Sequence, residues 1–436
     1  MRAHCKAFSI RRHSSWPQAS WQEKILARAS GRKAVEPGEV VVANVDCLLL
    51  HDLSGYLTGR VFDKEVRRPM RYPERVVMIF DHHFCPPSEE GALVLEENRA
   101  FARRHGINLF DCGNGNTHHV AFWNGFSRPG TVIVGSDSHT PIHGTVGCFA
   151  TGIGNDSHAG TVMPFGKAWF KVPETIQVQL SGAHKAGVTP RDAALWLTAQ
   201  IGEGGAIYKS LEFCGPYIEQ LDFWDRWLFP HIVVDLGAKC GYIEPDEKTL
   251  AMVRTVTDKP FDAVRGDADR KFEATWEWNF SALEPQIACP PTVGNVKTVA
   301  EVAGAPVQWA ELGGHGGGRL EDFRLAAQIL KGRRVHRDSR FNLVPSSRAV
   351  FTQALREGLV ELLHECGATW FPPSTGSNQA YNMGAMTAQE TMISTHARNF
   401  PGRNGNPEAK MYLASALTVA ASAVAGKITD PRQYLK

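Results

Sequence analysis

Gly135-Ser136-Asp137-Ser138-His139-Thr140 is the stretch on which the reading of this chain turns. A β-branched run, Thr131-Val132-Ile133-Val134, feeds into it and Pro141-Ile142-His143-Gly144 follows, so the polar cluster stands where a buried strand ends. Ligands bind at that edge in open α/β sheets. Asp137 and His139, two apart, can orient one another, and Ser138 can hold a substrate oxygen. Taken alone, the six residues favour a cap for the next helix.

Upstream features extend the pattern. The apolar run Val76-Val77-Met78-Ile79 leads into Phe80-Asp81-His82-His83, and Asn116-Thr117-His118-His119 precedes the Pro129-Gly130 turn. Val41 to Val45 leads to Asp46, and His51-Asp52 follows Leu48-Leu49-Leu50. Several strand-end His/Asp sites predict one polar cleft assembled from loops.

At 436 residues and 43% hydrophobic, the chain is too long for one ordinary domain and predicts two or three. A net charge of +2 with 21% charged residues gives no basis for a nucleic-acid or membrane surface. The small-apolar stretch Ala414 to Ala425 is too short to span a bilayer and reads as a buried helix. Cysteines at 5, 47, 85, 112, 148, 214, 240, 289 and 366 include no C-x-x-C pair, which predicts free thiols in a reducing, cytoplasmic compartment. Residues 1–20 carry four Arg or Lys and no acid, and read as a tail outside the fold or as an organellar transit segment.

In chain order, Gln22 to Ser30 predicts a helix stopped by Gly31. Strands then alternate with helical segments such as Glu90 to His105, the pattern of a parallel sheet with crossover helices. The alternation of Glu174-Thr-Ile-Gln-Val-Gln-Leu predicts a half-exposed strand, and Pro190 starts a helix to about Ile201. The charged, Trp-containing stretch before Pro290-Pro291 is expected to be an irregular connection. A third unit follows with strand, glycine loop and the helix Leu320 to Leu330. The expected units are a tail 1–20 and α/β domains 21–172, 173–291 and 292–436.

The phrase PGTVIVGSDSHTPIHGTVGCFATGIG (Pro129 to Gly154) resembles the signature of the aconitase superfamily, and Asp81-His82-His83 resembles its Asp-His element. WQEKILARASG (Trp21 to Gly31) is similar to the family's opening helix, and ARNFPGR (Ala397 to Arg403) to its carboxylate-binding loop. The closing YLASALTVAASAVAGKITDPRQY resembles the end of the large subunits of 3-isopropylmalate dehydratase and homoaconitase. This likeness runs in order from about Trp21 to the C-terminus. It implies three α/β/α domains with mostly parallel sheets and no swivelling fourth domain, which in the isopropylmalate enzymes is a separate small subunit.

The loop Leu312-Gly313-Gly314-His315-Gly316-Gly317-Gly318-Arg319 contains an HGGG resembling an esterase oxyanion motif, but no G-x-S-x-G accompanies it. It also reads as a glycine turn before a helix N-terminus. Alignment with the aconitase pattern places His315 where the first iron–sulfur cysteine stands, and Ser374 and Ser377 at the two C-x-x-C positions. Serine hydroxyls are poor substitutes for thiolates on iron, so the resemblance with these departures implies no [4Fe-4S] cluster. His231 stands at a usual Asn, Asp235 at the Glu that supports the catalytic histidine, Ala397 at an Asn and Tyr56 roughly at a substrate-contacting Gln.

The resemblance therefore implies a hydro-lyase or isomerase acting on a small polycarboxylate or related hydroxy acid. Asp81 with His82 would protonate the leaving hydroxyl, while His118, Asp137 and His139, supported by Asp235, complete the proton network. Arg398 and Arg403 would clamp carboxylates, with Ser138 and Tyr56 contacting substrate. A mononuclear Fe, Zn or Mn ion on His315, with His231, His118 or Asp235 as further ligands, would replace the cluster. Metal-free histidine catalysis and a cluster rebuilt on Cys112, Cys148 or Cys240 are the alternatives. Other readings of the scaffold are a cyclisation, isomerisation or decarboxylation in biosynthesis, or a non-catalytic carboxylate-binding subunit.

Overall fold

The computed structural model describes residues 19–435 other than Tyr381, so the basic segment 1–18 lies outside the described residues. Ser20 and Glu23 form a capping box on helix α1 (Trp21–Ser30), and Gly31, at φ 71°, stops it. Trp21 is fully buried and stacks on Tyr242 with ring centroids 3.8 Å apart, which ties this first helix to the second sheet.

Cys47–His51 (β1), Val76–Ile79 (β2), Asn108–Phe110 (β3), Val132–Gly135 (β4) and Phe149–Gly152 (β5) form a parallel sheet in the order β3-β2-β1-β4-β5. β1, β2 and β4 are buried at every position, which is why each is a continuous apolar run. Helices α2 (Asp52–Glu65), α3 (Glu89–His105) and α4 (Thr117–Trp123) are the crossovers. The chain moves outward from β1 to β3 and then returns to β1's other side at β4. Its switch point is thus flanked by His51-Asp52 and by Ser136 to His139.

The second sheet is Thr175–Ser181 (β6), Ser210–Cys214 (β7), Cys240–Ile243 (β8) and Ala274–Asn279 (β9), parallel throughout in the order β8-β7-β6-β9. Helix α5 (Pro190–Ile201) begins at a Thr189/Asp192 capping box with Pro190 in its first turn, as the sequence predicts. The Trp-containing stretch is not irregular: Ala274–Asn279 pairs with β6, and half-buried Trp276 and Trp278 pack on that domain's core. The short helix α6 (Leu228–Ile232) carries His231.

The third sheet comprises Gln286–Ala288 (β10), Val296–Thr298 (β11), Trp309–Leu312 (β12), Arg340–Leu343 (β13), Thr369–Trp370 (β14), Thr391–Ser394 (β15) and Lys410–Ala414 (β16). Five strands are parallel, and an antiparallel hairpin, β10-β11, joins their edge at β16. β10 therefore belongs to this sheet although it precedes residue 292. Helix α7 (Leu320–Leu330) follows the glycine loop, and α8 (Ala416–Ala425) is buried over its first eight residues. No helix among the described residues is long and apolar enough to cross a membrane. The switch point here lies between β12 and β15, at His315 and at His396 to Arg398.

Candidate active site

Asp52 opens α2 fully buried, and its carboxylate accepts the backbone N–H groups of Asp81 (3.0 Å), His82 (2.9 Å) and His83 (2.7 Å). The end of β1 thereby fixes the loop that leaves β2. Asp81 Oδ1 lies 2.7 Å from His82 Nδ1, while Oδ2 accepts the Thr117 N–H at 2.7 Å and hydroxyl at 2.8 Å. With Nδ1 committed to Asp81, His82 has Nε2 left for the cleft. Burial opposes a charge on His82, but Asp81, Asp52 and Asp137 outweigh it and raise its pKa to about 9. Its stacked neighbour His51, ring centroids 4.2 Å away, is lowered to about 4 by burial and by His82.

Asp137 gathers the imidazoles. Its Oδ1 accepts the His139 N–H at 2.6 Å, which is the capping contact the sequence also allowed, and lies 3.5 Å from His118 Nε2 and 3.3 Å from His139 Nδ1. Oδ2 stands 3.3 Å from His315 Nε2. Burial would raise this carboxyl, but His315, His118 and His139 hold it well below the usual range. His231 stacks on His139, centroids 4.6 Å apart, and neither of its ring nitrogens finds a hydrogen-bond partner among the described residues. Burial, then His139 and Arg191, keep His231 neutral, and burial does the same for His315. Asp235 Oδ2 is 3.8 Å from His139 Nε2, and its Oδ1 accepts Arg398 Nε at 2.8 Å.

Beneath the glycine loop, fully buried Glu311 accepts from the Ser377 N–H (2.9 Å) and hydroxyl (3.1 Å) and from Trp309 Nε1 (3.2 Å), and lies 2.7 Å from His396 Nε2. Ser374 Oγ accepts the Gly376 N–H at 3.2 Å, and Thr375 donates its hydroxyl to the Asp81 carbonyl at 2.8 Å. The Ser374–Ser377 loop thus bridges the first and third sheets beside the cluster.

Of the residues singled out in the sequence, Asp81, His82, His118, Asp137, His139, Asp235, His231, His315 and Arg398 come together. Arg403 is 8% exposed and lies over Phe400, centroid distance 5.2 Å. Ser138 borders a 390 Å³ cavity between the first two domains, with Ser136, Thr151 and Lys239. Tyr56 does not join the cluster: it accepts from Arg60 at 2.5 Å in a groove with Asp63 and Arg104, on the outer side of α2. Asp52, noted in the sequence as part of a strand-end His/Asp site, holds the Asp81 loop, whereas sequence reasoning missed Glu311, His396 and buried Arg191, which donates to the His396 carbonyl. The end of β15 was the signal for His396.

Two sets of side chains have metal-ligand proximity: His51, Asp52, Asp81 and His82, and His82, Asp137 and His315. Neither contains a cysteine. Burial pushes the thiols of Cys112 and Cys240 up to about 12 and that of Cys148 to about 11, and none of the three belongs to either set. The donor set of this site does not fit a [4Fe-4S] cluster.

The aconitase family (aconitate hydratase) matches residues 23–306 and 297–426. A 3-isopropylmalate dehydratase large subunit from Methanopyrus kandleri is 41% identical over 95% of this chain and 99% of its own length. A probable methanogen homoaconitase large subunit from Methanothermobacter thermautotrophicus is 40% identical over 94% of this chain and 97% of that protein. The holo-form of Thermococcus kodakaraensis aconitase X aligns over 82% of this chain and 84% of that one, with TM-score 0.49 and 12% identity. The family match over both parts of the chain, with relatives about 40% identical over nearly their whole length, makes this protein a member of the aconitase family of hydro-lyases and isomerases.

Proposed function

We propose that this chain adds or removes water on a small hydroxy di- or tricarboxylate, or a related hydroxy acid, without a [4Fe-4S] cluster. The observation that carries the reading is the Asp137 carboxylate ringed by His118, His139 and His315, with Asp81–His82 on one side and Asp235–Arg398 on the other. Dehydration needs a base for the C–H, an acid for the departing hydroxyl and cations on the carboxylates. The buried imidazole–carboxylate pairs supply proton-handling groups away from bulk water. Arg398, anchored through Nε, supplies a guanidinium for a substrate carboxylate, and Arg403 on the same loop supplies a second.

Two features support the cluster-free reading: imidazole, carboxylate and hydroxyl groups line the site, and Ser377 Oγ is engaged with Glu311. The dehydratase and homoaconitase relatives, matched over nearly their whole length and named large subunits, support hydratase-type chemistry and a small-subunit partner.

The test is a panel of hydroxy acids and their dehydrated products, offered to the purified chain alone and with candidate small subunits. Conversion between a hydroxy acid and its unsaturated acid is the expected result. A cyclised or decarboxylated product, or tight carboxylate binding without turnover, would overturn it. Turnover by the chain alone would remove the partner from the proposal, and four irons with sulfide would remove the cluster-free part.

A further inference from the structure

We infer that His82, Asp137 and His315 form a binding site for one divalent first-row transition ion, an inference that rests on the cluster-free reading above. One donor atom from each lies within 4.8 Å of the other two, and all three side chains are buried. Three donors on one ion at about 2.1 Å stand about 3.0–3.6 Å apart, so side-chain movement of about 1 Å closes the set. Two imidazoles and one carboxylate with open positions suit Fe²⁺ or Zn²⁺ and leave room for a substrate oxygen.

The surroundings distinguish this set from the adjoining one. In the His51, Asp52, Asp81 and His82 group the carboxylates are spent: Asp52 accepts three backbone N–H groups, and Asp81 serves His82 and Thr117. Asp137 instead carries its N–H contact on Oδ1 and keeps Oδ2 toward His315. His315 Nε2 is buried and makes no hydrogen bond of good geometry among the described residues; its nearest acceptor is Asp137 Oδ2 at 3.3 Å, the pairing that an ion between the two atoms would complete. His82 is already oriented as metal-ligating histidines are, with its far nitrogen on a carboxylate that Thr117 holds in turn. When bound, the ion would supply the Lewis acid for a substrate hydroxyl or carboxylate. His231 stacks on His139 outside the set.

The probes are Co²⁺ and Mn²⁺, added to the full chain after chelator treatment. We expect one ion per chain, and pulsed EPR of the Mn²⁺-loaded wild-type chain should resolve two coordinated imidazole nitrogens. Asp81→Asn should weaken Co²⁺ binding about 10- to 100-fold by freeing His82, and His315→Ala or Asp137→Asn should weaken it further. His231→Ala should bind as the wild type does. No bound ion, one nitrogen or none, or loss of binding in His231→Ala with retention in His315→Ala would each overturn the site. The EPR count needs no variant, so a misfolded mutant cannot decide the matter. Turnover by verifiably ion-free chain would overturn the metal site and leave the hydratase reading standing; a correctly ligated ion with no hydration of any panel acid would uphold the site and overturn that reading.

Discussion

The Nε of Arg398 is 2.8 Å from Asp235, and the two terminal nitrogens of the guanidinium have no partner among the described residues. Charge and shape separate at this residue. A lysine would keep the charge but could not hold Asp235 and grip a carboxylate in a two-point fork together. For Arg398→Lys we expect KM to rise about tenfold, equivalent to about 1.4 kcal/mol of binding, with a smaller change in kcat. Steady-state kinetics on the accepted substrate checks this; an unchanged KM would place the substrate carboxylate elsewhere. The motif around Arg398 made it legible in the sequence, and Asp235 was legible as a changed carboxylate. Their pairing was not, because 163 residues separate them.

The glycine loop between β12 and α7 shows which features of an element a sequence carries. A Cβ on Gly317 would strike the Thr395 hydroxyl and the Gly313 carbonyl, and one on Gly316 would come within 3.1 Å of the His231 ring and 3.2 Å of Arg191. The glycines therefore allow three chain segments to converge on His315, a role the likeness to an esterase loop did not suggest. Gly317→Ala must displace backbone at the floor of the site. We expect turnover to fall at least about tenfold with helix content retained, whereas Gly160→Ala, with nothing within 4 Å of the added methyl, should behave as the wild type. Circular dichroism and kinetics on the two variants make the comparison. Other elements were read directly because local chemistry marks them: Thr189-Pro190 with Asp192 starts α5, and the apolar runs of β1, β2 and β4 end at the polar loops. Failures arose where partners are distant. Strand β9 is an edge strand whose pairing with β6 spans about a hundred residues of sequence, and Tyr56 sits on the face of α2 turned away from the cleft.

On the scale of the whole molecule, the site exists only while three sheets stay docked, and buried His119 stands at a seam between them. His119 of α4 stacks on Trp224, centroids 5.1 Å apart, and its Nδ1 lies 3.2 Å from Ser346 Oγ, so it touches the regions around all three sheets. Burial, with help from His118 and Arg319, lowers it to about 3; burial lowers His158 to about 4. Both imidazoles are thus neutral in the fold. In the unfolded chain they take up protons below about pH 6.5. A depressed histidine contributes stability that is fully present above the unfolded pKa and is lost as pH falls from there toward the folded value. By pH 5 each of the two has removed about 2 kcal/mol, at a slope of about 1.4 kcal/mol per pH unit. We expect the urea midpoint to drop steeply between pH 6.5 and 5, with a smaller drop in His158→Gln. The proposed ion should leave the chain within the same interval, because separation at the His119 seam parts His315 on the third sheet's loop from His82 and Asp137 on the first. A midpoint that is flat across this interval would mean that these imidazoles already carry protons in the folded chain, and that the seam is held by its aromatic and apolar contacts alone.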